Sequence, residues 1–230
     1  MILDLRALIF DVDGTLAETE EYHRLSFNAA FAQAGLNWTW GPELYRELLA
    51  VAGGKERIRC YMDRLETPLS GDGDLLIRDL HARKTALYAA FVAAGAIPLR
   101  PGIAELLAKA RARGVALAIA TTTSRPNVEA LLQTQLGSER AHCFAVMICG
   151  DEVAAKKPAP DVYLAALQAL GVSASQALAI EDSANGVQSA RRAGVAVIAT
   201  PSFYSAEDDF TCATAIAPET ATLSSLLGWN

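Results

Sequence analysis

No two cysteines in this chain are spaced as a metal or redox pair. Cys60, Cys143, Cys149 and Cys212 stand singly, which excludes a CxxC zinc site and argues against a disulfide frame; they read as reduced thiols filling a core. Positive charge is in short supply. Twenty Lys and Arg face 26 Asp and Glu, a formal net charge of −6, so a general nucleic-acid binder and a basic membrane face are both disfavoured. No apolar run reaches membrane-spanning length, and the start, MILDLRALIF, has neither a basic leader nor a cleavage site. The expected setting is therefore the cytoplasm, with no membrane and no nucleic acid as partner. Internal repeats and low-complexity linkers are lacking too. What remains is a 230-residue chain, 52% apolar, long enough for one large domain or two smaller ones with a substantial core.

Within that chain, three apolar runs read as buried strands: Ala7–Phe10, Val115–Ala120 and Ala177–Ile180. Ala145–Cys149 and Val195–Ala199 look like two more. Between them lie helical patterns over Gly102–Arg113, Pro126–Leu136, Asp161–Leu170 and Asn185–Ala193, each ending near a glycine (Gly114, Gly137, Gly171, Gly194). The alternation predicts an α/β fold with a parallel sheet covered by helices on both faces, a Rossmann-like architecture. The interval 18–97 differs. It holds helix-like stretches (Glu20–Ala34, Pro42–Ala50, Lys55–Leu65, Leu75–Ala94) and no convincing strand, after which Pro98 and Pro101 mark a return to alternation. The expected organisation is an α/β domain made of residues 1–17 and 98–230, with a helical cap, 18–97, inserted after the first strand. Its hinges would lie near Ala17–Thr19 and Ile97–Leu99, and a lid is its natural use.

In open parallel sheets, ligands bind beyond the carboxyl ends of the strands. Four strand ends here carry polar groups of complementary kinds. The first delivers Asp11 and Asp13, the second Thr121, Thr122 and Thr123. The third leads through GDEVAAKKPAPD to Lys156 and Lys157, and the fourth delivers Glu181 and Asp182. Each piece alone has an ordinary explanation: an acidic turn, a capping threonine, a solvated lysine loop, an N-cap. All four occurring in order, each at a strand end, is what points to a single site. Two carboxylates at the buried end of a strand need a strong cation nearby.

DVDGT, the strand ending in Thr121, KPAPD and EDSANG resemble the four motifs of the haloacid-dehalogenase-like hydrolases, over essentially the whole chain. The resemblance implies a phosphoryl-transfer enzyme in which Asp11 is the nucleophile and forms an aspartyl-phosphate. It further implies Mg²⁺ as cofactor, held by the Asp11 carboxylate, the Asp13 backbone carbonyl and Asp182, helped by Glu181. Asp13 would act as general acid and then base. Lys157 would balance the nucleophile and the phosphoryl oxygens, and Thr121 would bind a phosphoryl oxygen. An aspartate at position 13 favours a phosphatase or phosphomutase over a dehalogenase.

Glu18, Thr19, Glu20 and His23, then AGGKERI, HARKT and TTTSRPNVEALL, resemble more narrowly the CbbY-type phosphatases of the β-phosphoglucomutase-like subfamily. These hydrolyse xylulose 1,5-bisphosphate, an inhibitor of Rubisco. The implied partner is a small sugar phosphate, linked to Rubisco through its inhibitor rather than by contact, and a monomer is expected. A bisphosphate needs a second anion site. Gly53 and Gly54 would open a helix whose N-terminus favours an anion, with Lys55 and Arg57 adding charge. His81 and Lys84 share a helix face, as do Glu20 and His23, the latter pair placed for sugar hydroxyls. Thr122, Thr123, Ser124 and Asn127 complete the expected substrate contacts. A Gly-Gly before a helix is ordinarily a turn, however, and AGGKER lacks the P-loop spacing. Trp38 and Trp40 read as cap core rather than as a sugar platform. The rivals are a β-phosphoglucomutase, a phosphoglycolate or hexose-phosphate phosphatase and, from another class, a non-catalytic sugar-phosphate binder or Rubisco-associated scaffold.

Overall fold

The computed structural model describes residues 4–51, 53–65, 71–137 and 143–229. The chain divides into two compact units, one of residues 1–18 and 97–230 and one of residues 19–96.

The first unit is built on a parallel sheet of six strands among the described residues: β1 (Ala7–Phe10), β2 (Ala116–Ala120), β3 (Phe144–Ile148), β4 (Ala177–Glu181), β5 (Ala196–Ala199) and β6 (Ala215–Ile216), in the spatial order β3-β2-β1-β4-β5-β6. The chain lays strands outward from β1 on one side and then returns to the other. The switch point thus falls between β1 and β4, where a doubly wound sheet opens its ligand crevice. Parallel pairing aligns Phe10 with both Ile119 and Ile180, so the next residues, Asp11, Ala120 and Glu181, stand level. Every residue of β1 and β4 is buried, which is why these strands read as unbroken apolar runs.

Alternation sorts the strand side chains into two sets. Ala7, Ile9, Ala118, Ala120, Ala177, Ala179, Val197 and Ala199 form one core with Val162, Tyr163 and Ala166 of α7 (Asp161–Leu170) and Val187 and Ala190 of α8 (Ala184–Arg192). The many alanines on this face let those helices pack close. The other set includes Leu8, Phe10, Leu117, Ile119 and Ile180, all buried. Further helices of this unit are α5 (Ile103–Ala112), which packs on β2, α6 (Arg125–Leu136) and the short α9 (Leu223–Leu226). The sequence reading missed β6, whose two residues are too few to show a period.

The second unit is helical: α1 (Glu20–Gln33), α2 (Pro42–Leu49), α3 (Gly54–Met62) and α4 (Gly73–Ala93). Its core is aromatic. Phe27, Phe31, Trp40 and Tyr45 are fully or almost fully buried, and the Trp40 ring lies 4.6 Å from Phe27, 4.9 Å from Phe31 and 5.5 Å from Tyr61, within the range of favourable ring contact. Trp40 is core, as expected. Asp72 caps α4, its Oδ1 accepting from the amides of Asp74 and Leu75. Among the described residues, no helix is long and apolar enough to cross a membrane.

Candidate active site

At the carboxyl ends of β1 and β4, Asp11, Glu181 and Asp182 each offer a carboxylate oxygen within 4.8 Å of the others, all buried. An ammonium bonds to two of them. Lys157, on the loop before α7, donates at 2.6 Å to Asp11 Oδ1 and at 2.6 Å to Glu181 Oε1. Burial works against the Lys157 charge, but the two carboxylates outweigh it and hold the ammonium above its ordinary pKa. Three carboxylates against one ammonium still leave negative charge in excess. Burial, reinforced by Glu181 and Asp13 and opposed by Lys157, accordingly pushes the Asp11 carboxyl up to about 7.

The donor set fits a hard divalent cation, for which carboxylate oxygens are the preferred ligands. Glu181 supports the fit independently. Its Oε2 is buried with no hydrogen-bond partner, a costly arrangement for a carboxylate unless a cation completes it. The recess around Oε2 exists because residue 186 is glycine: a Cβ there would lie 1.8 Å from that oxygen.

Two more strand ends contribute. Thr121, buried just past β2, accepts at Oγ1 from the Thr123 amide at 3.3 Å. The Thr123 hydroxyl donates to Asp13 Oδ2. Thr123, expected among the substrate contacts, thus has its hydroxyl on Asp13. Ser124 is the N-cap residue of α6 without a capping bond from its hydroxyl, and Asn127 follows in the first turn. The Thr122 backbone lies so close to Gly150 that a Cβ there would meet the Thr122 carbonyl at 2.2 Å.

Several residues at this site escaped the sequence reading. Tyr163, on the inner face of α7, donates to Glu181 Oε1 alongside Lys157. Burial and the Glu181 charge hold its hydroxyl well above its ordinary pKa, so it stays a proton donor. Ser202 and Ser205, beyond β5, bond to Asp182 Oδ2 at 2.8 and 3.1 Å, and Thr15 approaches Oδ1 at 3.4 Å. Hydroxyls in a loop carry no signal by type, although their place after a fifth strand end was a clue.

The helical unit gathers a second polar group around the Phe27 ring. Lys84 Nζ lies 5.0 Å from the centre of that ring and donates to His23 Nδ1 at 2.8 Å. His81 packs so closely on Gly54 that a Cβ there would fall 2.9 Å from its ring. Tyr45 donates to Glu20 Oε2 at 2.7 Å and accepts from Arg57 at 3.1 Å. Arg57 also donates to the carbonyls of Leu48 and Val51, at 3.1 and 3.4 Å. Three of its five N–H groups are thus engaged, fixing the guanidinium plane. Gly53, the N-cap of α3, has φ 102°, a conformation side chains disfavour. Lys55 does not join the group. It lines an open groove of about 700 Å³ with Arg59 and Asp63 of α3 and Asp74 and Arg78 of α4. Lys55 and Arg57, expected together at one anion, stand two residues apart on α3, about 200° around the helix.

Comparison with known proteins agrees with this geometry. Residues 5–194 match the family model for haloacid dehalogenase-like hydrolases. The chain is 53% identical over 211 residues to the protein CbbY of Rhodobacter capsulatus, covering 92% of each. Among solved structures, CbbY from Rhodobacter sphaeroides in complex with phosphate superposes with a TM-score of 0.88 at 46% identity, covering 95% of this chain and 96% of that one. A variant of the same protein, in complex with xylulose-(1,5)bisphosphate, superposes equally well. The chain belongs to the haloacid dehalogenase-like hydrolases and, within them, to the CbbY phosphatases.

Proposed function

We propose that this sugar-phosphate phosphatase hydrolyses xylulose 1,5-bisphosphate to xylulose 5-phosphate and phosphate, with Mg²⁺ at the Asp11, Glu181 and Asp182 cluster. The observation that carries the reading is Lys157 bonded to both Asp11 and Glu181 within that acidic cluster. It sets a nucleophile bonded to an ammonium at the switch point of the sheet. Mg²⁺ bound there would supply charge neutralisation for the transferring phosphoryl group.

An Asp11 oxygen attacks phosphorus, and the ester P–O bond breaks. Asp13, held by Thr123, gives its proton to the leaving oxygen. The resulting aspartyl-phosphate is opened by water, whose proton Asp13 takes as the P–O bond to Asp11 breaks. Lys157 and Thr121 hold the phosphoryl oxygens throughout. We assign the rest of the substrate to Glu20, His23, Gly53, Gly54, Arg57, His81 and Lys84 of the helical unit and to Thr122, Ser124 and Asn127 of the α/β unit. The xylulose assignment is supported by the bisphosphate complex of the Rhodobacter sphaeroides relative. Hydrolysis of this bisphosphate would spare Rubisco an inhibitor, and the expected place of action is the cytoplasm.

The test is a phosphate-release screen across sugar mono- and bisphosphates, with xylulose 1,5-bisphosphate included. That compound should give the highest kcat/KM, and release must depend on Mg²⁺. A clear preference for a monophosphate would overturn the substrate; no release from any ester would favour a binding protein. Arg57→Ala should cut kcat/KM for the bisphosphate by about 10²-fold, the loss expected of a charge-assisted contact, while p-nitrophenyl phosphate is hydrolysed nearly as before. Lys55→Ala, pointing elsewhere, should change either rate by no more than about threefold. Equal losses on both substrates for Arg57→Ala would remove it from the distal phosphate.

A further inference from the structure

The acidic residues of the cluster are held in different ways. Asp11 and Glu181 share an ammonium. Asp182 instead has one oxygen enclosed by two separate loops. Its Oδ2 accepts from Ser202 Oγ at 2.8 Å and from Ser205 Oγ at 3.1 Å, both on the loop after β5. The opposite wall is Gly14, on the loop after β1. A Cβ at position 14 would sit 2.1 Å from that same Oδ2 and 3.0 Å from Ser202 Oγ, and the residue's φ of +76° disfavours any side chain. The two serines are themselves locked together. Their hydroxyls are 2.8 Å apart, and the Ser202 amide donates to Ser205 Oγ at 2.9 Å.

Both walls are braced by a single buried side chain. Arg100 donates through one terminal nitrogen to the Gly14 carbonyl and, at 2.8 Å, to the Thr200 carbonyl; its other terminal nitrogen reaches the Pro201 carbonyl at 2.8 Å. Its Nε lies 3.2 Å from Glu18. A planar guanidinium suits this task because its donors fan out in fixed directions, which an ammonium cannot copy.

We propose that Ser202 and Ser205, with Arg100 behind them, are positioning residues for the metal ligand Asp182: they grip one carboxylate oxygen so that the other is presented to the cation. This rests on the reading of Asp11, Glu181 and Asp182 as a metal site. A carboxylate anchored at one oxygen by two hydroxyls cannot rotate about its terminal bond without losing both contacts. The ordering that cation binding would otherwise demand is already present in the fold. Gly14 leaves room for Oδ2 that any side chain would take.

The test is Mn²⁺ titration of the full-length chain, followed by electron paramagnetic resonance, for wild type, Asp182→Asn and the double variant Ser202→Ala with Ser205→Ala. The double variant should bind Mn²⁺ with a Kd about 10- to 100-fold higher, and excess Mg²⁺ should bring phosphate release back towards wild type. The metal requirement then moves far more than kcat. Should the double variant not fold, Ser205→Ala alone removes one contact and should raise Kd by a smaller factor. Arg100→Lys, which keeps the charge but not the fork, should also weaken Mn²⁺. Unchanged Mn²⁺ affinity in the serine variants overturns the proposal while leaving the metal site intact. Wild type binding no Mn²⁺, or binding it as Asp182→Asn does, overturns the metal reading and this inference with it.

Discussion

Asp11→Asn should lower phosphate release by at least about 10⁴-fold, the scale of losing a covalent nucleophile, with the fold intact. Asparagine matches the shape of aspartate, and its amide oxygen can still accept from Lys157, which donates to Asp11 Oδ1 at 2.6 Å. The amide has no negative charge with which to attack phosphorus. The variant should not be destabilised either. Burial has already pushed the Asp11 carboxyl up to about 7, so ionised Asp11 costs the folded state free energy at neutral pH. Removing one of three clustered carboxylates relieves that cost. In metal-free buffer the melting temperature should therefore equal or exceed that of wild type, and Mn²⁺ should bind more weakly. Intact-mass measurement after brief exposure to substrate should find a phosphoryl adduct on wild type and none on the variant. Turnover within tenfold of wild type would remove Asp11 from the nucleophile's role.

The strand-end residues were legible because a parallel sheet buried on both faces writes its strands as unbroken apolar runs, and polar residues directly after such runs stand out. Asp11 after ALIF and Asp182 after ALAIE are the clearest cases. Strand β3 was placed one residue late, since FAVMIC offers no polar residue to mark its end. The residues that hold the site together were not legible. Tyr163 lies on the apolar face of α7 and reads as core, which it is, apart from one hydroxyl that reaches Glu181. Ser202 and Ser205 lie in PSFYS, which has the composition of any loop. Arg100, between Leu99 and Pro101, bonds to Gly14 and Thr200, 86 and 100 residues away along the chain, a relation no local pattern encodes. In the helical unit, spacing also separates neighbouring basic residues. Lys55 and Arg57 are two apart in a helix, and helical periodicity alone assigns them to different faces.

Lys157→Met should damage stability as well as catalysis, and the stability loss should depend on pH. Methionine fills much of the volume but leaves Asp11 and Glu181 facing one another without the ammonium that bonds to both. Breaking a buried ion pair from one side costs about 3–5 kcal/mol. For a chain of this size, that corresponds to a melting temperature lower by on the order of 10 °C in metal-free buffer at pH 8. Without the cation, the folded-state pKa of Asp11, already raised to about 7, rises further above its unfolded value. The folded state then holds more protons than the unfolded one, so the deficit is greatest above the folded pKa. It shrinks as the pH falls through about 7, below which Asp11 is protonated in the folded state of wild type and variant alike. Thermal melts of wild type and variant at pH 5 and pH 8 measure this directly, and the gap should be smaller at pH 5. A saturating divalent cation should close part of the gap at pH 8, because it restores positive charge among the same oxygens. Phosphate release should nevertheless stay at least about 10³-fold down, since the metal cannot replace an ammonium positioned on the phosphoryl oxygens. A gap equal at both pH values would mean that Lys157 acts by packing its stem against Tyr163, whose ring centre lies 5.4 Å from Nζ, and that its charge contributes nothing to the fold.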